Sequence, residues 1–363
     1  MVQHLNICQY TNRMLSALVI ICLLTLVDGL RSRISRNPLA EDFPFYHSTD
    51  QIHATVISLS RNCHAPFAFH TVNCGINCNI DVVDIGNQNN QHKVFYLFGE
   101  HARELISPET AVQLMQDLCS ENPSNQTIAA LNTSQFRIIP NGNPASRREV
   151  EKGAFCLRAN PNGVDLNRNW DVHWTQESPS NTFQDQVNPG SSPFSESETK
   201  AFRDSVSGFH PAVFAAIHSG TLGMYMPWAV SEEHSKVRNE IKMNQVLSQL
   251  DARYCKCPSG PAAQQVGYDS PGTCLDWVHS NTKAAFSFAF EIFTGYGVDE
   301  LRDRYKMQSN NMLRSSFIDI EETLLNRSCF TQFNPETKSD FDRTIHNWSK
   351  ALVELAIVTS TSE

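Results

Sequence analysis

The sequence predicts an α/β fold in which a mixed, mainly parallel sheet is flanked by helices. Apolar runs typical of buried strands alternate along the chain with helical patterns. The chain has 363 residues, of which 40% are hydrophobic, enough to form one large core. No repeat, low-complexity tract or Pro/Gly/Ser-rich linker divides it after residue 45. We therefore predict a single domain over residues 43–363.

Three apolar runs give the first strands and place their ends. The runs are Val94–Phe98, which stops at Gly99, Gln135–Ile139 and Ala212–Ile217. Each is short, bounded by polar or glycine-containing segments, and rich in residues that favour strands.

Polar residues before the helical patterns predict where two helices begin. Ser107 is expected to be the N-cap of a helix that runs to Leu118, with Pro108 at its first position. Ser195 and Glu198 have the spacing of a capping box for the helix before the third strand.

A fourth strand pattern, Ala285–Ile292, alternates with a period of two. One face carries Phe286, Phe288, Phe290 and Ile292, and the other carries Ser287, Ala289 and Glu291. Burying a carboxylate on so apolar a strand costs free energy unless a partner binds it. The small side chains on the same face leave room for a ligand. Desolvation would raise its pKa, which suits a general base. The ordinary alternative is a glutamate that faces solvent at a strand end.

Two histidines and a carboxylate follow predicted strand ends. His101 and Glu104 lie in the turn after the first strand, and His218 follows the third. Ligand crevices of α/β sheets lie at the carboxyl ends of strands. Three protein ligands that leave a fourth position for water are typical of catalytic zinc. The pattern predicts one zinc ion per chain; the alternatives are a solvated turn and a structural histidine.

Two arginines, an asparagine and a glycine-bounded loop suit recognition of a carboxylate. Arg158 precedes the string Gly163–Trp170, in which Asn167 and Arg168 are adjacent. A guanidinium binds a carboxylate through two hydrogen bonds, and an asparagine adds a neutral donor. The alternative is a structural Arg–Asp ion pair. The later loop 267–273 carries Tyr268 and is either a mobile lid or a simple connection.

The order of these segments resembles that of the metallocarboxypeptidase family that includes pancreatic carboxypeptidases A and B. The shared order is His-x-x-Glu, Arg, Asn-Arg, His, Tyr and Glu, and the resemblance runs from Tyr46–Asp50 to a predicted C-terminal helix, Thr344–Ile357. It implies a zinc-dependent enzyme that removes C-terminal residues from peptides or proteins. It implies that His101, Glu104 and His218 are zinc ligands and that Glu291 is the general base. It also implies that Arg158 polarises the scissile carbonyl. Binding of the substrate's terminal carboxylate is implied for Asn167, Arg168 and Tyr268.

The same resemblance indicates which C-terminal side chains of the substrate are preferred. Leu275 stands where B-like enzymes have an acid and A-like enzymes an aliphatic residue, so neutral apolar C-terminal residues are expected. We expect the pocket to be lined by Ala216, Ala229 and Ala289 and narrowed by Tyr225.

Two segments depart from the pancreatic pattern. Residues 30–42 are too short for a folded pro-domain and are predicted to be a brief leader. Residues 301–340 are extra sequence, in which the string "CFTQFNPET" predicts a loop held by Cys329 and has no assigned function.

The N-terminus predicts secretion. The apolar run Met14–Val27 follows Arg13 and is shorter than the roughly 20 residues that span a membrane, so residues 1–29 are predicted to be a signal peptide. An uncleaved signal anchor is the alternative, and no stable membrane span is expected. Four glycosylation sequons fit the secretory pathway: Asn125, Asn132, Asn326 and Asn347.

The cysteines that remain after residue 29 are odd in number. In an oxidising compartment we expect disulfides with one thiol left free, and bridges rather than a zinc cluster at Cys74/Cys78 and Cys255/Cys257.

The formal net charge of −9 and the absence of a basic cluster argue against nucleic acid as a partner. Peptide or protein C-termini are the expected partners, and we expect a monomer. Two rival functions are a catalytically inactive secreted binding protein with a structural metal, and a hydrolase of N-acyl amino acids. A fourth protein ligand would favour the first rival, whereas an open site beside Glu291 favours catalysis.

Overall fold

The computed structural model describes residues 38–176, 187–231, 236–296 and 317–361. The predicted signal peptide, residues 30–37 of the predicted leader and residues 301–316 of the predicted insertion lie outside the described residues.

An eight-stranded sheet forms the centre of the molecule, in the spatial order β1-β2-β4-β3-β5-β8-β6-β7. β4, β3, β5 and β8 are parallel neighbours, as are β6 and β7, whereas β1/β2, β2/β4 and β6/β8 pair antiparallel. The predicted mixed, mainly parallel sheet is confirmed. The strands are β1 Phe67–Gly75, β2 Cys78–Ile85, β3 His92–Phe98, β4 Ser134–Ile139, β5 Val213–His218, β6 Gly223–Met226, β7 Ser259–Pro261 and β8 Phe286–Glu291.

Helices cover both faces of this sheet. They are α1 Pro38–Asp42, α2 Thr49–Asn62, α3 Ile106–Leu118, α4 Asn125–Thr133, α5 Pro144–Glu151, α6 Ser197–Phe209, α7 Glu240–Leu250, α8 Ala262–Val266, α9 Cys274–Asn281, α10 Phe317–Phe333 and α11 Lys338–Ser360. A 3₁₀ turn, Leu166–Arg168, and a π-helical turn, Asp251–Cys255, complete the set. In the parts of the chain that the structure describes, every helix is too short or too polar to cross a membrane.

Each central strand contributes to a core on both sides because its side chains alternate. Tyr96 of β3 packs in the core beneath α3 and α11, while its neighbour Phe95 packs in the core beneath α6 and α9. β8 follows the predicted alternation: its phenylalanines and Ile292 lie in the first core, and Ser287, on the opposite face, donates to the carbonyl oxygen of Leu275 at 2.9 Å. The opposite face of β8, which carries Glu291, is therefore the face on which a functional site can form.

The predicted helix starts are wrong by one or two residues, since both serine hydroxyls bind elsewhere. The hydroxyl of Ser107 donates to the carbonyl oxygen of Ile217 at 2.6 Å and accepts from the amide of Gly99 at 3.0 Å, so it joins the ends of β5 and β3. α3 begins at Ile106 with no side-chain cap from its own neighbours. The hydroxyl of Ser195 donates to Glu196, and the predicted capping box is absent from α6.

The cysteines form a framework of bridges. The disulfides are Cys63–Cys119, Cys74–Cys78, Cys156–Cys329 and Cys255–Cys257. Cys274 is a buried free thiol. The predictions of bridges at the two close pairs and of one free cysteine are confirmed.

Two predicted connecting segments are partly helical. Leu39 of α1 is 2% exposed and lies in the core, so the end of the predicted leader packs with the domain. Cys329, predicted to hold a loop, lies inside α10, and only the short connection from Asn334 to Thr337 separates α10 from α11. The loop prediction holds for residues 334–337 and is wrong for residues 329–333, which are helical because aromatic side chains such as Phe330 pack into the core.

Candidate metal centre and substrate site

Three candidate metal ligands meet where β3 and β5 end. The two strands are parallel neighbours with Phe98 opposite Ile217, so the turn after β3 faces the last residue of β5. Nδ1 of His101 lies 2.7 Å from Oε1 of Glu104, Nδ1 of His218 lies 3.0 Å from Oε2, and the two Nδ1 atoms are 3.2 Å apart. All three side chains are buried.

The donor set fits zinc. Ligand atoms at about 2.0–2.1 Å from a tetrahedral ion are about 3.3 Å from one another, close to the observed separations. Two imidazoles and one carboxylate are a ligand set of catalytic zinc sites. In the described part of the chain no fourth His, Cys, Asp or Glu joins these atoms, so the set is open. Burial opposes ionisation of Glu104, but His101 and His218 outweigh it and hold the pKa of this carboxyl well below its usual range.

Asp165 supports the first histidine from behind. Its Oδ1 lies 3.1 Å from Nε2 of His101, and its Oδ2 accepts from Nε of Arg158 at 2.9 Å. Burial raises the pKa of Asp165, but Arg158 and His101 more than compensate and hold it well below its usual range. A metal-binding histidine usually gives its second N–H to such an acceptor. The Arg–Asp ion pair considered as an alternative does form, and it adjoins the candidate metal centre.

Glu291 ends β8 beside the candidate metal ligands, directly opposite His218 in the sheet register. Its Oε2 accepts from the amide of Thr221 at 3.3 Å. Burial first, and then the charge of Glu104, raise the pKa of Glu291 to about 7. The rise and its cause agree with the expectation from the strand pattern.

The candidate carboxylate-binding residues lie on the 3₁₀ turn next to His218. Oδ1 of Asn167 accepts from the amide of Cys274 at 2.9 Å, which directs its amide nitrogen to Nε2 of His218 at 3.5 Å. Arg168 donates to the carbonyl oxygen of Asn167 at 2.7 Å and to the hydroxyl of Ser270 at 3.1 Å. Ser270 belongs to the loop that carries Tyr268, so this loop is attached to the turn. Tyr268 itself is 48% exposed.

Most of the residues expected to line the side-chain pocket pack together in a separate small apolar cluster. Its buried members are Tyr225, Ala229, Ala262 and Leu275, and Val266 and Ala289 pack against them. Ala216, expected in the same pocket, instead lies in the core beneath α6 and α9. The Tyr225 ring folds back over Gly223: a Cβ added to Gly223 would lie 2.3 Å from the phenol oxygen.

Asp165, Ser270 and Glu100 contact site residues but were not among the predicted site residues. Asp165 stands in the same string as Asn167, and the need of a ligand histidine for an acceptor could have indicated it. The contacts of Ser270 and Glu100 depend on tertiary packing, for which the sequence contains no local signal.

The chain matches the family model described as zinc carboxypeptidase over residues 75–304, well over half its length and including every predicted site residue. The chain belongs to the zinc carboxypeptidase family, as the order of its motifs predicted.

Known proteins are similar to it at moderate identity. Zinc carboxypeptidase A 1 of Anopheles gambiae is 27% identical over 274 residues, 69% of this chain and 60% of that protein. Carboxypeptidase A2 of Mus musculus is 26% identical over 280 residues, 70% of this chain and 64% of that protein. The chain thus spans about three fifths of the length of these relatives.

Solved structures share the fold. Thrombin activatable fibrinolysis inhibitor superposes with a TM-score of 0.68 at 18% identity, covering 91% of this chain and 78% of that chain. Carboxypeptidase A from Helicoverpa armigera gives a TM-score of 0.65 at 18% identity, covering 88% and 75%. Both likenesses support the α/β architecture described above.

Proposed function

We propose that this chain is a secreted zinc metallocarboxypeptidase that hydrolyses the C-terminal peptide bond of peptides or proteins. The observation that supports it best is the open set of His101, Glu104 and His218 with Glu291 beside it. An open ligand set next to a carboxylate of raised pKa is a catalytic arrangement, whereas a structural zinc site is closed by a fourth protein ligand.

Zinc, when bound to these three residues, supplies Lewis-acid activation of water and of the peptide carbonyl. Glu291 accepts the proton of the attacking water and passes it to the departing amine. Arg158, fixed by Asp165, offers its remaining N–H groups to the carbonyl oxygen as negative charge develops there. Arg168 and Asn167 hold the substrate's free carboxylate, and this sets the cut one residue from the end.

The apolar cluster around Leu275 supports a preference for neutral apolar C-terminal residues. A lysine or arginine side chain that entered it would lose hydration without gaining a counter-charge from the cluster. Because the Tyr225 ring occupies part of this space, we infer that the pocket favours small apolar side chains over large aromatic ones.

Secretion is supported by the disulfides among the described residues, which fit an oxidising compartment. The predicted signal peptide lies outside those residues, and the monomeric state stays a prediction.

Purified protein and a panel of N-blocked dipeptides that differ only in their last residue test the proposal. We expect release of the C-terminal amino acid, loss of activity with a zinc chelator, and recovery when zinc is restored. Glu291→Gln should keep zinc and lose roughly two to four orders of magnitude in turnover. Zinc binding without hydrolysis would favour the binding-protein alternative. Turnover of N-acyl amino acids, with none of the dipeptides, would favour the other hydrolase.

A further inference from the structure

The segment from Cys329 to Asn334, for which the sequence suggested no function, contacts all three chain segments that build the candidate centre. We call it the clamp segment. It consists of the last turn of α10, residues 329–333, and Asn334, the first residue of the connection to α11. Its contacts are made by Cys329, Phe333 and Asn334.

Asn334 forms hydrogen bonds with backbone groups on both sides of Glu104, a candidate metal ligand. Its side chain is 1% exposed. Its Oδ1 accepts from the amide of Ile106 at 3.0 Å, and its Nδ2 donates to the carbonyl oxygen of Arg103 at 2.9 Å. Glu104 lies between these two backbone groups. Ile106 is the first residue of α3, which lacks a local side-chain cap, so a residue 228 positions away provides the cap.

Two further contacts extend the clamp segment to the other parts of the centre. Phe333 packs so closely on Gly220, two residues after His218, that a Cβ there would lie 2.3 Å from its ring. The guanidinium of Arg103 lies 4.1 Å from the centre of the same ring. Cys329 is bonded to Cys156, two residues before Arg158.

We propose that Asn334 is a positioning residue that fixes Glu104 relative to the two ligand histidines. This inference rests on the proposed metal centre. Loss of these two hydrogen bonds, one of which satisfies the buried amide of Ile106, would favour a different turn conformation, because an unsatisfied buried backbone group costs free energy. Metal affinity depends on ligands that are held in place before the ion binds.

Zinc affinity of three variants, measured by competition with a chromophoric chelator, tests this role apart from catalysis. We expect Asn334→Ala to weaken zinc binding roughly 10- to 100-fold, the range typical of residues that orient ligands. Asn334→Asp keeps an acceptor for Ile106 but loses the donor for Arg103, so it should also weaken binding. Asn90→Ala is the matched control, because Asn90 likewise binds backbone carbonyls, those of Leu131 and Ser134, but lies away from the centre.

The thermal stability of the metal-free proteins separates positioning from general support. If Asn334→Ala or, should it not fold, Asn334→Asp lowered stability as Asn90→Ala does but bound zinc as tightly as the wild type, the inference would be wrong. Failure of the wild type itself to bind zinc would instead contradict the proposed metal centre.

Discussion

Oε2 of Glu100 lies 3.4 Å from Nε2 of His218, the nitrogen that faces away from the candidate metal. Glu100 is 1% exposed, and its other oxygen accepts from Nε1 of Trp170 at 3.1 Å. His101 and Asp165 have the same relationship, so each ligand histidine has a buried carboxylate behind it. Asn167 also approaches Nε2 of His218, but through its NH₂ group, which is a donor. Glu100 is therefore the carboxylate acceptor for that N–H, and its Oε2 also accepts from the thiol of Cys274 at 3.6 Å.

We predict that Glu100→Gln weakens zinc binding roughly 10- to 100-fold. Trp170 and His218 contact different oxygens of Glu100, and glutamine replaces one of these oxygens by an NH₂ group, which is a donor. Trp170→Phe is the control, since it removes the indole donor to Glu100 and leaves the histidine contact in place. Chelator competition measures both variants. Equal zinc affinities for Glu100→Gln and the wild type would assign Glu100 to packing alone.

The sequence predicted which residues meet at the candidate site better than it predicted the residues that contact them from behind. Glu291 was predictable because one strand's alternation puts it opposite four apolar side chains. His101 and His218 were predictable because strand ends of parallel neighbours meet. Glu100 and Asn334 were not, since their roles depend on contacts between segments far apart in the chain.

The local errors have the same origin. Ser107 has the sequence features of an N-cap, yet its hydroxyl ties two strand ends together, and α3 is capped by Asn334 instead. Local propensity cannot anticipate a partner that tertiary packing brings to a helix terminus.

Zinc should lower the pKa of Glu291. In the metal-free protein burial and Glu104 raise this pKa to about 7. A nearby cation favours the carboxylate form, so the pKa should fall below that value when zinc binds. The general base must be ionised. The kcat/KM of the zinc enzyme should therefore decline only when the pH falls through the pKa that Glu291 has with zinc bound. Carboxyl ¹³C NMR titrations with and without zinc, with the signal assigned by Glu291→Gln, measure the change. A pKa that stays the same or rises on zinc binding would contradict the placement of Glu291 beside the metal.

The four sequons should differ in occupancy if the protein is secreted. Asn125 and Asn132 are exposed on α4. Nδ2 of Asn326 donates to the carbonyl oxygen of Gly153 at 2.5 Å, and Nδ2 of Asn347 donates to that of Tyr254 at 2.8 Å. A glycan on either of the last two would replace a hydrogen of a nitrogen already engaged inside the fold. Mass spectrometry of peptides after enzymatic deglycosylation should find Asn125 and Asn132 modified; full occupancy of Asn326 or Asn347 in the folded protein would show this reasoning to be wrong.

Tyr225→Leu should enlarge the side-chain pocket. The phenol ring belongs to the cluster with Ala229 and Leu275 and lies over Gly223. A shorter side chain should raise kcat/KM for C-terminal phenylalanine relative to alanine by roughly tenfold or more, the effect of adding space for apolar atoms. The ratio of kcat/KM for the two substrates, measured with one enzyme preparation, does not depend on how much of the enzyme is folded or carries zinc. It therefore needs no separate control for folding or zinc content. An unchanged ratio would place the pocket elsewhere.

Arg168 should determine exopeptidase character. Its guanidinium is anchored by the carbonyl oxygen of Asn167 and the hydroxyl of Ser270, and it is 8% exposed. A substrate carboxylate that binds there would form a charge-assisted pair shielded from water, and deleting one partner of such a pair costs about 2–5 kcal/mol. Arg168→Ala should therefore lose tens to thousands of times in kcat/KM on a peptide acid.

The C-terminal amide of the same peptide separates charge recognition from misfolding. The wild type should strongly prefer the acid, because the amide lacks the negative charge that the guanidinium binds. Arg168→Ala should process acid and amide at similar low rates, whereas a misfolded enzyme would lose both without a change in their ratio. Arg168→Lys is the matched control: it keeps the charge but not the paired N–H geometry, so it should retain part of the preference for the acid. Equal wild-type rates on acid and amide would remove Arg168 from this role and favour an endopeptidase or another hydrolase.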